Sequence, residues 1–228
     1  MQYPNPGYLG SSSHTTLFDH LRLQRDTEPG DLSQETGYTP LQTDCVVDDI
    51  CISRGAELIL ELHRLSMIPR FVQIFNKWVA TGTNLALAGP FTGSCASTVV
   101  YIMSQCDGTQ ATATTLSRNL FHASRQPITF SSETTFHDYC TKFSGQNARW
   151  EPFGIFFTAV CRASVDLAYA EPLYGSEQQR RKVQKLTLSY SDRCLDLCLP
   201  LDCMNDLQLV LQYENFISHS QVDGDQSK

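Results

Sequence analysis

The sequence predicts an all-α fold, a multi-helix bundle-like domain, and three observations carry that expectation. The stretch Gly145 to Leu167 opens polar, carries Arg149-Trp150-Glu151 and then becomes almost wholly apolar: Ile155, Phe156, Phe157, Val160 and Cys161 cover every side of a helix. Such a helix must be buried all round rather than half exposed. On either side of it, apolar residues recur at three- and four-residue intervals, the period of helices packed on one face. Finally, capping residues and prolines fall where helices of that period must begin and end.

Pro152 suits only a first helical turn, where a missing N–H costs nothing, so the central helix starts between Ala148 and Glu151. Arg162 and Asp166, four residues apart, are expected to mark its polar edge or to form a partly buried pair. Upstream, Gly55 to Leu65 places Leu58, Leu62 and Leu65 on one stripe, and Pro69 to Val79 places Phe71, Phe75 and Trp78 on another. Gly82, Gly89, Pro90 and Gly93 make residues 81–94 read as a loop. Thr98 to Met103 is β-branched enough for a strand, but its neighbours favour a buried helical segment. Thr112 to Ser124 reads as a helix stopped before Pro127. Ser132 to Phe143 reads as a second, capped by Ser131 or Ser132, with Phe136, Tyr139, Cys140 and Phe143 on one face and Gly145 beyond its end.

Ser176 can cap a long helix over 177–199, which Pro200 stops. Its main stripe is Val183, Leu186, Tyr190, Cys194 and Leu197, and Leu188, Leu195 and Leu199 widen it. Asn205 or Asp206 can cap a last helix over 205–217, whose leading stripe is Leu209, Tyr213 and Phe216, with Leu207, Val210, Leu211 and Ile217 alongside. Two adjacent helices with such faces predict an αα-hairpin on the central rod. Residues 1–45, rich in Pro, Gly and Ser, read as a flexible linker carrying the apolar islands Tyr8-Leu9 and Leu17-Phe18. The helical domain is expected over 46–222, and 223–228 as a polar tail.

Composition narrows the function. The 228 residues carry a net charge of −7, which argues against a large nucleic-acid-binding face. The one basic cluster, Arg180-Arg181-Lys182 with Lys185, reads as a solvated helix face rather than a binding patch. The nine cysteines, with no N-terminal apolar leader and no glycosylation sequon, point to reduced thiols in the nucleus or cytosol. No apolar run is long enough for a membrane span.

Chemical motifs are incomplete. Gly93-Ser94-Cys95-Ala96 begins like a nucleophile elbow, but Ser97 stands where the second glycine is needed. His137 and Cys140 sit three apart on a short helix, where Cys140 is needed for the core. Cys194, Cys198 and Cys203 are the strongest metal lead, yet their spacing is not C-x2-C and Cys194 lies on the apolar stripe. Asp48-Asp49 reads as solvated or capping. No catalytic, cofactor-binding or metal-ligating residue is assigned. The residues singled out are Arg149, Trp150 and Glu151: the Trp as anchor of the central helix, the Arg and Glu as charge-assisted hydrogen-bonding partners that fix its entry.

Four segments, in order, resemble the middle homology region of fungal zinc-cluster transcription factors. They are Tyr8 to Ser13 with Leu17-Phe18; Ser117-Arg118-Asn119-Leu120-Phe121 with Arg125-Gln126-Pro127; Phe136 to Trp150 running through Glu151 into GIFFTAV; and Leu211 to Asn215 followed by Gly224 to Ser227. The resemblance spans nearly the whole chain. It implies a non-enzymatic, all-α regulatory domain in the nucleus, acting on protein partners (the transcription machinery or a second copy), with a possible small-molecule effector. In that family a six-cysteine cluster holding two zinc ions contacts DNA. It needs C-x2-C-x6-C repeats, whereas Cys194 and Cys198 here are four positions apart, Cys198 and Cys203 five, and Cys45 and Cys51 six. Zinc, and DNA contact through it, are therefore expected only of a module this chain lacks. Family members continue beyond the equivalent of Gly224 to Lys228, so the chain reads as an N-terminal part of a larger helical domain. The alternatives are a small-molecule-sensing helical domain or a non-functional truncated fragment.

Overall fold

The computed structural model describes residues 43–82, 89–129, 131–167, 172–201 and 205–224, with 43–47 as backbone only. All of them belong to one compact unit, Gln42–Lys228. The islands Tyr8-Leu9 and Leu17-Phe18, most of the stretch read as linker, Cys203 and the segment after Gly224 lie outside the described residues. Among the described residues the architecture is all-α. Helices α1 (Thr43–Leu65), α2 (Ile68–Ala80), α3 (Gly89–Gln105) and α4 (Gln110–Ser124) are followed by a short α5 (Phe136–Thr141) and a 3-10 turn (Gly145–Asn147). Then come α6 (Trp150–Asp166), α7 (Glu177–Cys198) and α8 (Asp206–Gly224).

The central rod is α6. It packs most extensively on α7, then on α8, α3 and α2, while α1 pairs chiefly with α4. Its residues from Trp150 to Cys161 are all buried, as an all-round apolar helix requires. The rings lock edge-to-face across it: Phe71 of α2 meets Phe157 with centroids 6.2 Å apart, and Phe75 meets Phe156 at 6.1 Å. From the other side Tyr190 of α7 lies 5.2 Å from Phe157. The α7–α8 hairpin packs on the rod with both of its helices.

Several starts follow the local chemistry. Thr109 and Ser176 accept from the backbone N–H three residues on and cap α4 and α7. Pro69 stands in the first turn of α2.

Other expectations are corrected. Helix α1 begins at Thr43, inside the stretch read as linker, and not at Gly55. Residues 89–94 are not loop but the start of α3, since Pro90 occupies a first turn, where it suits a helix. Helix α5 begins at Phe136 under a Thr135–Asp138 capping box; the expected caps Ser131 and Ser132 precede it. Helix α8 continues to Gly224, past 217 and into the stretch read as tail. Leu65, Phe136 and Leu199, expected inward, are exposed.

The largest correction concerns the roll of α8. Its leading stripe faces out: Leu209, Tyr213 and Phe216 are 52%, 59% and 71% exposed. The buried face is Leu207, Gln208, Leu211, Glu214, Asn215, Ser218 and Val222. The cause is polar: Arg162 on α6 requires an acid, and Glu214 supplies it at 2.8 Å with 1% of its side chain exposed. Asn215 adds hydrogen bonds to Ser191 and Asp192 of α7. Arg162 and Asp166 therefore do not pair with each other. Asp166 accepts instead from Trp78 Nε1 at 2.8 Å, joining α6 to α2.

Candidate functional site

Arg149 is the N-cap residue of α6, with extended backbone that turns its side chain back toward the end of α4. Its guanidinium donates to the Ser124 carbonyl at 2.8 Å and the Gln126 carbonyl at 2.7 Å. These groups lie at and just beyond the C-terminus of α4, where carbonyls lack intrahelical partners and favour a cation. The same guanidinium donates to Glu151 Oε1 through Nη2 at 2.9 Å and Nε at 3.2 Å.

Glu151, in the first turn of α6, is the hub. Beyond Arg149 it accepts from Ser124 Oγ at 2.8 Å and from Asn205 Nδ2 at 2.8 Å. Ser124 Oγ in turn accepts from the Trp150 backbone N–H at 2.9 Å, satisfying an orphan donor of the α6 start. Asn205 caps α8, its Oδ1 accepting from Gln208 N–H at 3.0 Å. One buried polar cluster thus ties together the end of α4, the start of α6 and the start of α8. Arg149 and Glu151 are 3% and 1% exposed, so each charge depends on the other for compensation.

Trp150 is wholly buried against Phe153, centroids 5.4 Å apart. It also lies on Gly55 of α1, where an added Cβ would stand 2.6 Å from Trp150 Cζ2 and 2.3 Å from Ser117 Oγ. Ser117 Oγ meanwhile donates to the Ile52 carbonyl at 2.7 Å. The absent side chain at Gly55 is what lets α1 and α4 close over the indole.

The structure separates the other chemical leads. Ser94 lies within α3, and its Oγ donates to the Pro90 carbonyl, so Gly93 to Ala96 form no strand-to-helix elbow. His137 is exposed and Cys140 buried, and among the described residues no hydrogen bond joins them. Burial pushes the Cys194 and Cys198 thiols up, with the Glu151 carboxylate adding to the effect on Cys198, so both are protonated core residues. Among the described residues no three His, Cys, Asp or Glu side chains cluster as metal ligands. Asp48 pairs with Arg125 at 2.8 Å on the surface. No helix is long and apolar enough to cross a membrane, among the described residues.

A second polar group escapes sequence reading. His219 of α8 lies between Asp192 of α7 at 2.8 Å and Asp223 at 3.0 Å. Burial tends to lower its pKa, but the hydrogen bonds with Asp223 and Asp192 outweigh that and raise it above the ordinary 6.5. A signal for the neighbouring Arg162–Glu214 pair was present. An arginine on an otherwise apolar helix calls for an acid from another element, and Glu214 shares a helical face with Leu207 and Leu211.

The chain matches no family model, no curated protein and no solved structure.

Proposed function

We propose that this chain is a non-enzymatic regulatory module of the fungal zinc-cluster transcription-factor kind. It works in the nucleus through helix-mediated protein contacts, with the transcription machinery or a second copy as partner. DNA is reached only through a zinc module that these residues do not supply. The ordered motifs described above support the family reading, and residues of those motifs build the Arg149–Glu151 hub. The observation that carries the protein-contact reading is the outward stripe of α8. Leu209, Tyr213 and Phe216 lie at positions i, i+4 and i+7, the spacing of anchors that one helix offers to a groove or to another helix. An aromatic stripe held away from its own core is the kind of surface that marks an interaction site.

A reporter assay tests this. The full chain is fused to a heterologous DNA-binding domain in yeast, beside the double variant Tyr213→Asp/Phe216→Asp. Reporter output that changes on fusion and reverts in the variant, at equal protein levels, supports the reading. Output identical for the DNA-binding domain alone, the fusion and the variant refutes it.

The small-molecule-sensing alternative has its own support in a cleft at the far end of α6.

A further inference from the structure

The C-terminal part of α6 and the adjoining faces of α7 and α8 surround a cleft of about 970 Å³. That volume is in the range of small-molecule sites, roughly 300–1,000 Å³. Its α7 wall carries Gln178, Arg181, Lys182 and Lys185, which the helical period brings onto one face. Arg180 also lines it but is committed elsewhere. Its guanidinium donates to the Ser164 carbonyl at 2.8 Å, at the end of α6, and to Glu177.

The charges do not cancel. Arg180 and Arg181 share one carboxylate, and their hydrogen bonds hold Glu177 down at about 2, so it stays ionised. Among the described residues, Lys182 and Lys185 have no ion-pair partner, and no carboxylate lines the cleft. In a chain of net charge −7, Arg180, Arg181, Lys182 and Lys185 are the one basic cluster of the sequence.

The remaining lining is not a solvated helix face. Val165 of α6 and Val222 of α8 form the floor, above a small apolar cluster completed by Cys161 and Leu188. Gln221 also faces the cleft, and its side-chain oxygen is shut off from solvent with no hydrogen-bond partner among the described residues. Rotation of that amide presents either an acceptor or an NH2 donor to an occupant.

We infer that the cleft between the end of α6, α7 and α8 binds a multiply charged organic anion, with phosphate or carboxylate groups on a small frame. Lys182 and Lys185 engage its charges, Gln178 and Gln221 its polar groups, and Val165 and Val222 its apolar part. The inference is independent of the regulatory reading. An empty result here leaves the reporter assay intact, and a failed reporter assay leaves this one intact.

The test is calorimetric titration of the full chain at low salt with three probes: citrate, inorganic triphosphate and ATP. The expected result is saturable one-to-one binding of at least one probe. It weakens about tenfold or more in Lys182→Gln/Lys185→Gln, and falls with added salt. Both lysines are exposed, so the double variant keeps its fold, which circular dichroism checks. Lys77→Gln on α2, outside the cleft, leaves binding unchanged. Citrate against triphosphate assigns the anionic group, and ATP against triphosphate measures the contribution of the organic frame. No saturable binding of any probe up to about 1 mM overturns the inference, as does binding that survives the double-lysine substitution.

Discussion

Replacing Glu151 by Gln probes the hub with the smallest change of shape. The carboxylate accepts from Arg149, Ser124 and Asn205 at 2.8–3.2 Å while only 1% of it is exposed. The amide keeps one acceptor oxygen and turns the other into a donor facing donors. It also leaves the Arg149 charge without its counter-charge, although the Ser124 and Gln126 carbonyls remain on the guanidinium. Breaking a buried pair from one side costs about 3–5 kcal/mol. Domains of this kind have about 5–15 kcal/mol in total, so the variant should lose a large share of its stability. Urea unfolding monitored by circular dichroism reads this as a lower midpoint at unchanged slope. Arg149→Met should cost a similar amount by stranding Glu151. The double variant Arg149→Met/Glu151→Leu should cost clearly less than the sum, because no charge is then left unpaired. A loss below about 1 kcal/mol for Glu151→Gln, or singles that simply add, would refute the hub as described.

The remaining predictions are briefer. Trp150→Ala should destabilise by about 3–5 kcal/mol in the same urea experiment; a change within error would show that the indole is no anchor. Gly55→Ala should lower stability by about 1–3 kcal/mol despite the better helix propensity of alanine, because its methyl meets the locked Trp150 ring; a gain of stability would show that α1 can shift aside. His219 has a folded pKa above its ordinary 6.5, so its contribution is fully present below about 6.5 and is lost as pH rises through the folded value. Thermal scans from pH 6 to pH 9 should therefore show a fall in stability that His219→Gln flattens; parallel curves for the two proteins would count against it. Tyr213→Asp/Phe216→Asp should unfold within about 0.5 kcal/mol of the parent, since both side chains already face water.

The sequence made the central helix legible because its determinants are local. Pro152 can stand only in a first turn, and an apolar stretch without a polar face has nowhere to go but inside. The cap at Ser176 was legible for the same reason. What escaped was decided between elements. Gly55 reads locally as a helix start, but in the fold it sits in mid-helix, where the indole of Trp150 requires the space. Before α5 the sequence points to Ser131 or Ser132 as cap, whereas the cap used is Thr135, and its choice accompanies the packing of Tyr139 on Phe143. Helix α8 presents two apolar stripes, and periodicity favours the aromatic one. The partner of Arg162 settles the matter the other way: Glu214 shares a face with Leu207 and Leu211, but only the arginine on α6 makes that face the inner one. The hub was legible in two of its members; Ser124 and Asn205 join it only through tertiary approach.

Helix α8 therefore reverses the usual map of tolerance to substitution. On most surface helices, polar changes are accepted outside and apolar ones inside. Here the inner face holds Glu214, paired with Arg162 of α6, and Asn215, bonded to Ser191 and Asp192 of α7, so even an isosteric apolar replacement leaves a stranded group on α6 or α7. The outer face can take charges at positions 209, 213 and 216 without loss of fold. Directional bonds also fix the angle at which the helix lies, as greasy contact alone does not, so α8 cannot roll to hide its aromatic side chains. Variation across related chains should then be most permissive in folding terms where this helix is most hydrophobic. Any constraint seen at Leu209, Tyr213 and Phe216 would have to come from what they touch outside the described helices.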